Sequence, residues 1–422
     1  MIRFVYALFM WLLVPLLLFK LFKRSSSEPV YGQSVAERFG LYDIPAQAGA
    51  VWVHAVSLGE TRAAMALVKA LRQANPGLRF VFSHGTATGR TEGLAMLQAG
   101  DVQVWQPWDT PQAVQRFLNH FQPRIGLLID TEVWPNLIWQ AHDQAVPLVL
   151  ANARLSDKSW RKAEQWQLLA RPVFNRLHAV WAQSEEDAQR LRSLGAPVTA
   201  ITGNLKFDAQ PDPDLLRLGH NWRAQTAKPI VVLAISREGE EAALLDLLLA
   251  KPALLEAVQW WIVPRHPQRF EEVAGLVQAR ALGLVRRSDL SDTPQYQELF
   301  QTQTVVLGDS LGEMPFYFGA ASVALLGASF EPLGGQNLIE ACACACPVVM
   351  GPHTYNFAQA AARALSEGAA LRVDNLAQGV QLAHDLALDR AVQSRMAGAA
   401  SDFSKRHQGA VAKCVALMGE LT

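Results

Sequence analysis

Short apolar runs recur along most of the chain, separated by stretches in which apolar residues have helical spacing. The runs are continuous and do not alternate with polar residues, a pattern that predicts parallel strands buried on both faces of a sheet. The predicted strands lie at 51–56, 79–83, 125–129, 147–151 and 179–182, and then at 229–235, 259–264, 304–307, 322–327 and 347–350.

A polar segment rich in proline and aspartate, 208–214, separates the two series of strands. Such segments are typical of domain boundaries. We therefore predict an α/β fold with two Rossmann-like domains, 25–210 and 211–422, with the last helix a candidate to cross back to the first domain. Two such domains in tandem predict a central cleft that faces the carboxyl ends of both sheets, where ligands bind.

The N-terminal segment 1–24 differs from the rest of the chain. Its apolar run, 4–19, is interrupted only by Pro15 and is followed by Lys20, Lys23 and Arg24. This pattern predicts a membrane-anchor helix with the remaining chain on the cytoplasmic side. Sixteen helical residues cover roughly 24 Å, against about 30 Å of bilayer hydrocarbon, so spanning and half-inserted forms are both open. A cleaved signal peptide is the alternative, but no small-x-small cleavage site follows the run.

The composition excludes several classes of protein. Basic and acidic residues are equal at 38 each, so no net field favours nucleic acid as a partner. The four cysteines do not indicate a disulfide framework. Three of them, Cys342, Cys344 and Cys346, alternate in a stretch predicted to be helical, where they would point in different directions. We interpret them as packing residues and predict no metal site.

Acidic and basic side chains follow the predicted strands of the first domain. Glu60 ends the motif HAVSLGE, where it is either the second half of a capping box with Ser57 or a general base. Asp130 and Glu132 flank a threonine after the third predicted strand, and Lys206 follows a later one. Helix capping and solvation are the alternatives to function at these positions.

The second domain carries candidate anion-binding groups. Arg265 has the planar fork that suits a phosphate or carboxylate, and a glycine pair leads into a helix whose first amides can receive a phosphate. The candidate residues that this chemistry indicates are Arg265, Gly334, Gly335 and Glu340. Glu340 would accept bonds from ribose hydroxyls, or else stabilise the helix dipole.

Eight motifs in this order resemble those of the bacterial 3-deoxy-D-manno-octulosonic acid (Kdo) transferases of lipid A assembly. They are HAVSLGE, DTEVWPNLI, NARLS, GNLKFD, PRHPQRF, GDSLGEM, GGQNLIE and MGPHTYNF, and the resemblance extends over nearly the whole chain. It implies the GT-B architecture of two facing Rossmann-like domains. It also implies an inverting glycosyltransferase of the bacterial inner membrane that moves Kdo from CMP-Kdo to a lipid A precursor (lipid IVA), with no cofactor and no catalytic metal.

By this resemblance Glu60 matches the general base, and Asp130 and Lys206 match positions that stabilise the transition state. The residues that match segments binding CMP are Arg265, His266, Leu311, Gly312, Glu313, Asn337, Leu338, Ile339 and Glu340. Two positions depart from the family pattern, because Asp130 stands where glutamate is usual and Gln336 replaces a histidine.

Two other functions are consistent with the motifs. The first is a related lipid-directed glycosyltransferase that uses a UDP-sugar, because a phosphate site does not identify the base of the nucleotide. The second is a membrane-tethered nucleotide sensor without turnover, in which the acids serve only as helix caps. The number of Kdo units transferred, the acyl pattern of the acceptor and the oligomeric state are not encoded in these motifs.

Overall fold

The computed structural model describes residues 1–45, 48–290 and 303–421. Over these residues the chain forms two compact units. Unit 1 consists of Met1–Ala209 together with Gln408–Thr422, and unit 2 consists of Gln210–His407. The last helix therefore belongs to the first unit, although it follows the second in sequence.

Unit 1 is built on a parallel sheet with the strand order β3-β2-β1-β4-β5-β6-β7. The register pairs Val51 of the inner strand β1 with Phe80 on one side and Ile125 on the other. The strands are β1 (Val51–His54), β2 (Phe80–His84), β3 (Val102–Trp105), β4 (Ile125–Ile129), β5 (Leu148–Ala153), β6 (Ala179–Ala182) and β7 (Val198–Ile201).

Helices cover both faces of this sheet, as parallel connections require. They are α1 (Ile2–Ser25), α2 (Leu58–Ala74), α3 (Ala87–Gly93), α4 (Pro111–Phe121), α5 (Pro135–Asp143), α6 (Asp157–Gln165), α7 (Gln167–Phe174), α8 (Glu185–Ser193) and, from the end of the chain, α18 (Ala410–Leu421). Short 3₁₀ helices lie at Pro29–Gly32, Val35–Phe39, Leu94–Met96 and Leu205–Asp208.

Unit 2 repeats the arrangement with the strand order β10-β11-β9-β8-β12-β13-β14, again parallel. Its strands are β8 (Ile230–Ser236), β9 (Gln259–Pro264), β10 (Gly283–Arg286), β11 (Thr304–Leu307), β12 (Val323–Leu326), β13 (Val348–Met350) and β14 (Ala370–Arg372). Its helices are α9 (Pro213–Gln225), α10 (Glu240–Ala250), α11 (Ala253–Ala257), α12 (Phe270–Gln278), α13 (Met314–Ala320), α14 (Leu338–Ala343), α15 (Ala358–Ser366), α16 (Leu376–Leu388) and α17 (Arg390–Arg406). Short 3₁₀ helices lie at Pro267–Arg269, Arg287–Asp289 and Tyr355–Phe357.

The cores follow from the pleat of the strands. Successive side chains of a strand point to opposite faces, so Trp52 packs in one apolar layer of unit 1 while Val51 and Val53 pack in the other. In unit 2 the strand residues Trp260 and Ile262 are fully buried beneath α10 and α12. Both faces of each sheet are thus removed from water, which explains the continuous apolar runs in the sequence.

The predicted fold class is confirmed as two parallel-sheet α/β domains behind one N-terminal apolar helix. The four cysteines are buried free thiols, as predicted. The predicted helix through the cysteine stretch is wrong in extent, because α14 ends at Ala343, and Cys344 and Cys346 lie in the turn that leads to β13.

Candidate active site

The polar side chains of unit 1 meet at the carboxyl edge of its sheet. Strands β1, β4 and β5 are neighbours; His54 ends β1, Asp130 follows β4 directly, and Asn152 is the next-to-last residue of β5. Ligand sites of open parallel sheets lie at this edge, where the order of the strands reverses around β1 and β4. The fold therefore gathers residues that are far apart in sequence.

Glu60 occupies the third position of α2 and closes a capping box with Ser57. Its Oε2 accepts from the Val56 amide at 2.7 Å, and its Oε1 accepts from the Ser57 hydroxyl at 2.8 Å. Burial raises the pKa of Glu60, the Ser57 hydroxyl opposes that shift, and the charge of Asp130 adds to it. A carboxylate with a raised pKa is better matched to taking up a proton near neutral pH. The capping role is thus present, and it does not exclude the second role.

Asp130 stands at the centre of a small polar network. The Lys206 ammonium lies 3.4 Å from its Oδ2, and the Asn152 amide donates to its Oδ1. The Asn152 side-chain oxygen Oδ1 in turn accepts from the Leu205 amide at 2.9 Å, which holds the lysine segment against β5. Asp130 and Asn152 both have a left-handed backbone, with φ of 64° and 56°, a conformation that Asp and Asn adopt more readily than most residues.

A second carboxylate, Glu132, lies beside this network. Its Oε2 accepts from the Trp134 indole at 2.7 Å and lies 3.8 Å from the His54 Nε2. Burial, followed by the charge of Glu60, raises the pKa of Glu132 to about 7. Burial lowers the pKa of His54 to about 3, so its imidazole is neutral at physiological pH. The site therefore combines three carboxylates with one cation.

In unit 2 the structure brings two of the predicted segments together. The Arg265 guanidinium donates to the Gln336 amide oxygen, so the loop after β9 is joined to the glycine pair. Gly334 and Gly335 have φ of 92° and 74°, which glycine adopts without strain. The Asn356 side chain holds this loop by donating to the Leu333 carbonyl at 3.1 Å.

The remaining predicted residues of unit 2 differ in exposure. Leu311 is 71% exposed, whereas Glu313 is held by Arg287 at 2.9 Å and by the Ser310 hydroxyl. Asn337 caps α14 by accepting from the Ile339 amide at 3.2 Å. The side chains of Leu338 and Ile339 are buried in the core, and Glu340 lies in the first turn of α14. A ligand could meet Leu338 and Ile339 only through their backbone.

Comparisons with known proteins place the chain in a family. The family profile described as 3-deoxy-D-manno-octulosonic-acid transferase (kdotransferase) matches residues 33–209. The chain is 45% identical over 371 residues to a 3-deoxy-D-manno-octulosonic acid transferase of Bordetella pertussis, covering 86% of this chain and 85% of the relative. The chain belongs to the 3-deoxy-D-manno-octulosonic acid transferase family. The Haemophilus influenzae member is 31% identical over 99% of this chain and 98% of its own length.

The Kdo transferase chain also shares its architecture with more distant proteins. A structure described as a putative UDP-N-acetylglucosamine 2-epimerase from Listeria monocytogenes has a TM-score of 0.57 at 12% identity. The match covers 89% of this chain and 98% of that one. At this identity the likeness shows the fold alone, which is the GT-B-like arrangement of two parallel-sheet domains.

The sequence analysis missed two residues of the candidate site as functional candidates. Asn152 and His54 entered it only as the first residues of the motifs NARLS and HAVSLGE. Each is the last polar residue of a buried run, at the sheet edge where Glu60 and Asp130 also lie. That shared position was the available signal, because a polar side chain that is fully buried requires a partner.

Proposed function

We propose that the chain transfers Kdo from CMP-Kdo to a sugar hydroxyl of a lipid A precursor, with inversion at the anomeric carbon. The observation that carries the proposal is the similarity to Kdo transferases, 45% identity over 86% of the chain, because it spans both units. The site geometry supports it. A partly buried carboxylate of raised pKa, Glu60, lies at the carboxyl edge of one parallel sheet, and Arg265, a candidate to bind the phosphate of CMP-Kdo, lies in the other unit.

In the proposed reaction the acceptor hydroxyl attacks the anomeric carbon of Kdo. The new carbon–oxygen bond forms as the bond to the CMP phosphate breaks, and the phosphate leaves with the electron pair. Glu60 takes the hydroxyl proton. Asp130 stabilises the positive charge that develops at the anomeric carbon, and Lys206, 3.4 Å away, forms an ion pair that holds the Asp130 carboxylate in place.

The donor is assigned to unit 2. A phosphate leaving group needs cations and amide donors more than a general acid, and Arg265 with the loop at Gly334 and Gly335 supplies this kind of group. The proposed CMP segments also include His266, the stretch from Leu311 to Glu313, and the stretch from Asn337 to Glu340. These assignments do not depend on the roles proposed for Glu60, Asp130 and Lys206 in unit 1.

A direct test supplies the purified chain with radiolabelled CMP-Kdo and a lipid A precursor and resolves the products by mass. We expect product heavier by whole Kdo units, and we expect none when a UDP-sugar replaces the donor. Transfer from a UDP-sugar, or no transfer from CMP-Kdo by a folded chain, would refute the proposal.

We further propose that α1 anchors the enzyme to the cytoplasmic face of the inner membrane by lying in one leaflet. Its outward face is apolar, with Phe4, Leu12 and Phe19 each about two-thirds exposed or more. The most apolar 18-residue stretch of α1 has a mean hydropathy of 2.2. Lys20 and Lys23 at its end would meet anionic headgroups.

The contacts of α1 support the half-inserted form over the spanning form. Near its start, Arg3 donates to Asp143 at 2.6 Å, and Tyr6 donates to Asp109 at 2.9 Å. Near its end, Leu21 is buried in a cluster with Trp105. A helix of 24 residues is roughly 36 Å long, so a spanning helix would carry its first turn across the bilayer. Contacts with unit 1 at both ends are incompatible with that.

The topology is tested by Ile2→Cys and a membrane-impermeant maleimide. We expect labelling in inverted inner-membrane vesicles and none in intact spheroplasts, with Asp402→Cys in unit 2 as the cytoplasmic control. The wild-type chain provides the blank, because its four cysteines are buried. Labelling of residue 2 from outside the cell would show that α1 spans the bilayer.

A further inference from the structure

Three buried side chains, linked by hydrogen bonds, run from the core of unit 1 to the candidate active site. The Trp52 indole donates to the Ser83 hydroxyl oxygen at 2.8 Å, and this oxygen lies 2.7 Å from the His54 Nδ1. All three residues are fully buried. The Nε2 edge of the His54 imidazole faces the carboxylate of Glu132.

These hydrogen bonds determine the tautomer of His54. An indole nitrogen can only donate, so the Ser83 oxygen accepts from Trp52 and its own hydrogen is free to be donated. Within the described part of the chain, the only acceptor bonded to that hydroxyl is the His54 Nδ1. The remaining hydrogen of the neutral imidazole must then lie on Nε2.

The His54 Nε2 is buried and has no hydrogen-bond partner among the described residues. A buried donor without a partner is destabilising, so it favours any acceptor that comes within reach. The Glu132 Oε2 is the acidic oxygen it faces, at 3.8 Å, roughly 1 Å beyond hydrogen-bond distance. The Glu132 side chain is 15% exposed and can close that gap by a small rotation.

We propose that His54 is a positioning residue for the transfer reaction, in which its Nε2 hydrogen orients the Glu132 carboxylate and keeps it ionised beside Glu60. The inference rests on the proposed role of Glu60 as the base. A negative charge on Glu132 makes Glu60 hold a proton more tightly and so makes it a stronger base. His54 thereby acts on the reaction through two carboxylates without touching substrate.

The direction of the pH effect follows from the groups around Glu132. These are His54 on β1, Glu60 on α2, and Asp130 with its partner Lys206. A hydrogen bond to the charged form lowers the pKa of Glu132, which burial and Glu60 raise to about 7. Without the His54 donor, Glu132 therefore stays protonated up to a higher pH. The rate of transfer should then fall most at pH values below the pKa that Glu132 has in the variant.

A spectroscopic measurement tests the tautomer and the contact without any turnover. In the full chain with ¹⁵N-labelled histidine, we expect His54 to remain neutral with its hydrogen on Nε2. The Nε2 signal should still shift with pH as Glu132 titrates, with a midpoint below the value of about 7 that burial and Glu60 set for Glu132 without the His54 bond. The variant Glu132→Gln should abolish this shift. A hydrogen on Nδ1, or a signal that ignores both pH and Glu132→Gln, overturns the proposal.

Kinetics with matched variants test the effect on the reaction. His54→Leu should lower kcat at pH 7 by about tenfold and leave KM for the donor unchanged, with the deficit narrowing at higher pH. His54→Gln, which retains a donor, should recover most of the loss. His84→Leu is the control, because His84 is equally buried but bonds to the Ala55 carbonyl at 2.8 Å, not to a carboxylate.

A merely structural role predicts a different result, in which His54→Leu and His84→Leu lower kcat equally at every pH. That outcome refutes the positioning role. If His54→Leu does not fold, Glu132→Gln serves instead, and we expect it to remove the part of the pH dependence of kcat that follows the titration of Glu132. If the protein gives the expected histidine signals but transfers no Kdo, the proposed function is refuted. The contact between His54 and Glu132 is then still supported.

Discussion

Replacing Ser57 with alanine separates the two roles of Glu60. The Ser57 hydroxyl accepts from the Glu60 amide at 3.4 Å as the cap of α2 and donates to the Glu60 Oε1 at 2.8 Å. Ser57→Ala removes both bonds and leaves the amide of Val56 on the carboxylate, at 2.7 Å. The substitution should therefore affect helix stability and the base by different amounts.

The stability effect is that of a lost N-cap. Substitution of a capping serine by alanine costs about 1 kcal/mol, so the melting temperature should fall by roughly 2–4 °C for a unit of this size. The effect on the base has a defined sign. The Ser57 hydroxyl lowers the pKa of Glu60, so its loss raises that pKa further. The acidic limb of the kcat profile should then move to higher pH, with the plateau changed by less than about twofold.

The assay is the pH dependence of Kdo transfer, read beside a thermal melt, and Ser184→Ala is the matched control. Ser184 caps α8 in the same unit by accepting from the Asp187 amide at 3.1 Å, and it also donates to the Asp187 carboxylate at 2.6 Å. Ser184→Ala should give a similar fall in melting temperature with no shift of the acidic limb. Equal shifts in both variants, or none in Ser57→Ala, would refute the role of Glu60 as the base.

Three further predictions follow from single contacts. Burial raises the pKa of Asp109 to about 7, above its unfolded value, so its ionisation costs stability as pH rises from about 4 to 7. Asp109→Asn should therefore gain unfolding free energy relative to wild type across that range, as measured by urea denaturation at several pH values. Asn152→Ala should lower kcat by about tenfold with donor affinity unchanged, because Asp130 loses its amide donor and the lysine segment loses its tether; equal loss of donor affinity would contradict this. Gly334→Ala should weaken CMP binding in calorimetry, because φ of 92° strains a residue with a Cβ, and unchanged affinity would remove the loop from the donor site.

The inner strands were predictable from sequence and the edge strands were not. Each of the ten predicted runs corresponds to a strand, whereas β3, β7, β10 and β14 were missed, and these four lie at the two edges of each sheet. Inner strands are buried on both faces and are therefore continuously apolar. Edge strands are partly exposed, as in β7, where Val198–Ile201 has no fully buried residue. Their mixed composition gives no periodic signal.

The candidate site was only partly predictable, for a similar physical reason. Glu60, Asp130 and Lys206 could be found because charged residues after apolar strands stand out in sequence. His54 and Asn152 act through contacts with residues distant in sequence, such as the link from Asn152 to Leu205. Those partners are set by the strand order, with β1 between β2 and β4, and no local spacing encodes that order.

The length of α14 shows the same limit. Six residues, Leu338–Ala343, form the helix, although the alanine and cysteine stretch favours a longer one. The chain turns at Ala345, which has φ of 54°, because β13 must begin at Val348 to pair with β12. Tertiary pairing overrides helix propensity at this point.

The measurement closest to the central claim compares wild type with Glu60→Gln in donor binding and in single-turnover transfer. Glutamine keeps the shape of the cap but cannot take up a proton, so we predict unchanged affinity for CMP-Kdo and a transfer rate reduced by about 10²–10⁴-fold. Near wild-type transfer by a folded Glu60→Gln chain would contradict the account.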